Sequence, residues 1–135
     1  MLHGLNTLHS GRNSNGRKPV KVDLTLPEPP SSNRYWRVAR GRPYLSADAK
    51  AYKLEVRAIA IRAGIRGLPF PQGQPVRVTL RWYRSRRAGD LDNRAKVALD
   101  ALNGVLWLDD KQVIELHLYR YDRPGDGALY ATVED

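Results

Sequence analysis

Cysteine is absent from the 135 residues, which rules out disulfides and thiolate zinc sites and fits a reducing, cytoplasmic compartment. Long apolar runs are absent too, and nothing approaches the roughly 20 residues of a membrane-spanning helix. No long basic amphipathic segment with a bulky apolar face is present, so a membrane surface is a poor partner. The opening residues, MLHGLNTLHSGRNSNGRKP, lack the apolar centre of a secretory leader. Acid is scarce. Twenty-three Lys and Arg face fourteen Asp and Glu, a formal charge of +9 with a pI near 10.2, which favours a polyanionic partner such as nucleic acid.

What is there suffices for one domain, since 41% of the residues are hydrophobic. Residues 1–18 read as a flexible basic tail and 19–135 as the folded part. VKVDLTL alternates as a strand, and PEPPSSN stops it, because proline cannot donate into a ladder. RYWRVARGRPYL reads as a loop. Ser46 is the expected N-cap of a helix ending near Gly64, with Ala47, Ala51, Leu54, Ala58 and Ile61 as its inner stripe. Lys50, Lys53 and Arg57 border that stripe as a wet flank.

VRVTLRWYR alternates again, with Val76, Val78, Leu80 and Trp82 facing inward. A second helix is expected over 91–102, with Leu91, Ala95, Ala98 and Leu102 inside and Asn103-Gly104 ending it. VIELHLYRY and ALYATVE read as two final strands. The fold class is α/β (α+β): a mixed four-stranded sheet with two main helices on one face.

Five of the acids crowd into AGDLDNRAKVALDALNGVLWLDD, residues 88–110. The helix from Asp92 to Asn103 rises about 16 Å, and an extended return of six residues reaches at most roughly 20 Å. The expectation is that Asp109 and Asp110 come back beside Asp90 and Asp92. Carboxylates converging without a cation repel one another, whereas magnesium takes a few carboxylates with water and phosphate. Beside the basic run RSRR at 84–87, the implied chemistry is metal-assisted phosphodiester cleavage. Lys96, one turn after Asp92, would aim its ammonium at the scissile phosphate.

Each of these residues also has a structural reading. Asp90 can cap the helix, Asp92 can favour its dipole, and Asp109-Asp110 can form a polar turn. Lys96 can pair with Asp92, and Asp100, two turns further on, reads as structural. His117, on an outward strand position with no evident partner, is also read as structural.

LPEPPSSNRYWRVARGRPYLSADAKAYK and GDLDNRAKVALDALNGVLWLDDKQV together resemble the RusA family of Holliday-junction resolvases, from about residue 20 onward. The ordered D-L-D-N-x-x-K, D-A-L and D-D set carries the resemblance. It implies a small homodimeric endonuclease, bacterial or prophage-encoded, that nicks four-way DNA junctions symmetrically in recombination and repair. The reaction would depend on Mg²⁺, with Mn²⁺ as substitute. The implied catalytic set is Asp90, Asp92, Lys96 and Asp110, with the three acids as metal ligands and Asp109 assisting.

Arg84, Arg86 and Arg87, with Arg34, Arg37, Arg40 and Arg42 of the aromatic loop, are candidates for backbone phosphates. Tyr35 is a candidate for stacking on unpaired bases, and Trp36 is better read as packing. Two departures from the family stand out: the tail, and Glu28 where an apolar residue is expected. The alternatives are a non-catalytic nucleic-acid-binding module and a nuclease for other branched DNA.

Overall fold

The computed structural model describes residues 18–31, 36–122 and 126–135, and the backbone but not the side chains of residues 36 and 37. The expected tail up to residue 17, Arg34, Tyr35 and the side chains of Trp36 and Arg37 therefore lie outside the described residues. Alternation builds the sheet. In β4 (Val76–Tyr83), Val76, Val78, Leu80 and Trp82 are buried to the last atom or nearly so. Burying each such side chain contributes about 1.5–3 kcal/mol.

β6 (Leu129–Glu134) pairs antiparallel with β4 and with β1 (Lys21–Leu26), while β5 (Val113–Tyr121) pairs parallel with β4. The order is β1-β6-β4-β5, a mixed four-stranded sheet with β5 on one edge. α1 (Ala47–Arg62) and α2 (Leu91–Leu102) share one core with its inward face. This is the expected architecture.

α2 has the expected bounds, and its buried face keeps Ala95, Ala98 and Leu102 but adds Val97 and Ala101 while Leu91 is half-buried; Gly104 supplies the left-handed residue after it at φ 86°. α1 has the expected N-cap, the Ser46 hydroxyl accepting from the Ala49 amide at 3.2 Å. Its buried face, however, is Ala49, Tyr52, Val56 and Ala60. The expected stripe looks outward instead, with Leu54 68% and Ile61 64% exposed. Both stripes are apolar at helical spacing. The inner one is set by tertiary contact, since Tyr52 donates its hydroxyl to the Pro27 carbonyl at 2.9 Å.

The segment expected as a loop contains a hairpin, β2 (Trp36–Ala39) and β3 (Arg42–Leu45). Arg40 at φ 52° and Gly41 at φ 72° form its two-residue turn, the positive-φ pair that matches strand twist. His117 does have a neighbour: its Nε2 lies 3.5 Å from the Glu115 carboxylate, which also pairs with Arg77.

Candidate active site

α2 leaves the C-terminal end of β4 and runs back along the sheet, because β5 must start beside the start of β4. Asp90 and Asp92 therefore sit at one end of the sheet. Asp90 occupies the N-cap position with an extended backbone, yet its carboxylate makes no capping bond. Its polar contact is Asn93, whose Nδ2 donates to Oδ2 at 3.4 Å. Asp92 and Lys96 are exposed on the first turns, and among the described residues no ion pair joins them. The capping and pairing roles open to these three residues are not taken up.

Asp110 stands elsewhere. Asn103, at the far end of α2, donates its Nδ2 to Asp110 Oδ1 at 2.6 Å. Eleven helical steps separate Asn103 from Asp92, about 16 Å. Among the described residues no three acidic or histidine side chains lie close enough to share one ion. The expected return to the helix start does not occur.

The reason is local. Gly104 donates to the Trp107 carbonyl at 2.6 Å, closing a turn, while Leu106 and Trp107 are fully buried at the helix end. The extended reach was an upper bound, and burial of these two side chains uses up the segment. Asp109 also parts from Asp110. Its side chain caps the single 3-10 turn Asp110–Gln112, accepting from the Lys111 amide at 3.0 Å.

The donors thus suit a hard divalent cation in kind, being exposed carboxylates. In placement, one chain sets two of them two residues apart at the start of α2 and holds the third beside Asn103 at its far end.

The basic run divides as well. Arg84, expected to grip phosphate, is turned inward and 8% exposed. It pairs with Asp122 at 2.8 Å, and its guanidinium lies 6.0 Å from the Trp82 ring centre. Asp122 is ion-paired to both Arg84 and Arg120. Burial alone would raise its pKa, but the bond from Arg120 and the two guanidinium charges outweigh this and hold it below the usual carboxylate range.

Arg86 and Arg87 are exposed on the connection to Asp90, and Arg40 and Arg42 are exposed at the hairpin. Sequence reading passed over Arg94. It stacks on Trp82 at 5.3 Å and donates to the Pro29 carbonyl.

A mixed sheet with Asp90, Asp92 and Lys96 exposed at the start of α2, and Arg86 and Arg87 exposed on the connection before it, points to a class: a basic protein suited to a phosphate-rich partner. Residues 27–127 match the family model described as endodeoxyribonuclease RusA. The chain is 38% identical over 114 residues to the crossover junction endodeoxyribonuclease RusA of Escherichia coli strain K12, covering 83% of this chain and 92% of that one. The Shigella sonnei protein of the same name matches to the same extent. The one from Enterobacteria phage 82 is 37% identical over the same shares. This chain belongs to the RusA family, whose named members are nuclease hydrolases, and membership implies a divalent-metal requirement. Among the described residues no helix is long and apolar enough to cross a membrane.

Proposed function

We propose that the protein is a crossover junction endodeoxyribonuclease that nicks four-way DNA junctions in pairs, with Mg²⁺ or Mn²⁺, as a homodimer in the bacterial cytoplasm. The observation that carries this reading is the exposed Asp90, Asp92 and Lys96 beside Arg86 and Arg87, in a chain of this family. Arg34, Arg37, Arg40 and Arg42 would add phosphate contacts that hold the branched substrate. Two symmetry-related sites suit a junction, in which two strands of like polarity are cut.

The separation of Asp110 from the other acids supports a site shared between two copies. β5 is a nine-residue edge strand, long for an unprotected edge, with Ile114 55% and Leu116 42% exposed. Pairing it antiparallel with a second β5 sets the start of one strand beside the end of the other. Asp110 precedes the start of β5, and the end of β5 lies in register with Tyr83, which leads to Asp90. Such a dimer brings Asp110 of the partner subunit to the end of the sheet where Asp90 and Asp92 emerge.

The three carboxylates would then hold the cation, which supplies Lewis acidity towards phosphate and water. Lys96 would offset charge as the phosphodiester opens. Asp92→Asn should abolish Mg²⁺-dependent nicking of a mobile four-way junction while leaving junction binding intact. Nicking at the parent rate would contradict the assignment. Three-way and linear substrates separate junction selectivity from general branched-DNA cleavage. Absence of cleavage by the parent with either ion would favour a non-catalytic binding module.

A further inference from the structure

Glu28 is an acid in the stretch LPEPP, where an apolar residue is expected, and its carboxylate is fully engaged. Oε2 accepts from Trp82 Nε1 at 2.9 Å and from the Ser85 amide at 3.2 Å, and Oε1 accepts from the Ser85 hydroxyl at 2.8 Å. The flanking residues are anchored too. Pro27 takes the Tyr52 hydroxyl of α1 on its carbonyl, and Pro29 takes the Arg94 guanidinium of α2 on its own. Three successive residues thus touch α1, the end of β4 with its outgoing connection, and α2.

The arm is stiff. Proline fixes φ at positions 27 and 29, and a residue before proline is confined to extended backbone, which holds Glu28 in place. Space for its side chain comes from Gly127, at φ 76°, where a Cβ would meet Glu28 at 3.2 Å. Trp82, held through its indole N–H, forms the surface on which Arg94 lies. Gly89, the residue before Asp90, packs so closely there that a Cβ would come within 2.9 Å of Arg94 and 3.2 Å of Trp82.

We propose that Glu28 is a positioning residue: its carboxylate straps the connection 84–90, which presents Arg86, Arg87 and Asp90, to the stiff arm after β1. For its effect on cleavage this rests on the reading above. The strap itself does not. Glutamine can serve in the same place, because its Oε1 takes the two N–H donors while its amide donates to the Ser85 hydroxyl, which turns to accept. Alanine cannot.

The experiment compares the full chain with Glu28→Ala and Glu28→Gln. Amide exchange of Ser85 should be at least about tenfold faster in E28A than in the parent, and near the parent value in E28Q. The Trp82 indole N–H resonance should move in E28A and return in E28Q. Single-turnover junction cleavage should fall about tenfold or more in E28A and recover to within about threefold in E28Q, and any loss of metal-free junction affinity through Arg86 and Arg87 should recover with it. Ser85→Ala, which removes one of the three bonds, should show the same changes at smaller size and serves if E28A fails to fold.

Unchanged Ser85 exchange in E28A would overturn the strap. Faster exchange with undiminished cleavage would overturn the positioning role. Equal impairment of E28A and E28Q would also overturn it, because charge would then be what matters. A parent that cleaves no junction would refute the proposed function, while the exchange and indole signals would still decide whether the strap exists.

Discussion

Gln112 is the buried junction on which the placement of Asp110 depends, and its replacement has a cost that can be worked out. Its Oε1 accepts from the amides of Leu108 and Asp109 at 3.1 and 3.0 Å. Its Nε2 donates to the carbonyls of Pro71 and Gln74 at 2.9 Å each, with Phe70 further off at 3.4 Å. Four good bonds at about 1 kcal/mol apiece come to about 4 kcal/mol, and leucine at this site can replace none of them.

Gln112→Leu is therefore expected to cost about 3–5 kcal/mol, a large part of the 5–15 kcal/mol typical of a domain. Urea unfolding followed by tryptophan fluorescence measures it. Lys111→Ala, one residue away and exposed, is the control and should stay within about 0.5 kcal/mol. A cost below about 1 kcal/mol for Gln112→Leu would refute the view that this side chain ties residues 108–112 to the loop at 70–74.

Two further predictions concern the connection before α2. Gly89→Ala should lower stability by about 1–3 kcal/mol, because φ is +96° there and the new methyl meets Arg94 and Trp82; an unchanged melting temperature would contradict it. The Asp122 carboxylate is held below its ordinary pKa. Its pairing with Arg84 and Arg120 should therefore contribute stability above the usual carboxylate range and lose it as pH falls through the lowered folded-state value. Unfolding curves of the parent and Asp122→Asn should converge as pH drops; a constant gap would argue against the linkage.

Much of the fold is legible where the signal is local. Alternation in VRVTLRWYR marks the central strand, and Ala95, Ala98 and Leu102 mark the inner face of α2. Two of the departures share a cause: contacts distant in sequence. α1 carries two apolar stripes, and Tyr52 turns inward because Pro27, far away in the chain, takes its hydroxyl. Arg84 turns inward because Asp122, on the far side of β5, pairs with it.

Asp110 stands away from the helix start because residues 104–107 close a turn and bury Leu106 and Trp107, which an extended length does not take into account. The hairpin, by contrast, did carry a local signal in the Arg40-Gly41 pair. Asp90, Asp92 and Lys96 were legible as candidates from their spacing. That the third acid stands a helix length away emerges from its bond to Asn103 and from the turn at Gly104, neither of which the spacing carries.

The central claim is that two copies build each site, and mixing inactive variants tests it most directly. Asp92→Asn and Asp110→Asn are each expected to be inactive as homodimers. In a mixed dimer with shared sites, one site carries both substitutions and the other carries neither. With random exchange of subunits, about a quarter of all sites should regain nicking, as single rather than paired cuts. Nicking that appears on mixing is the predicted result. If the exchanged mixture stays as inactive as its parents, each chain needs its own Asp110, and the shared site is wrong.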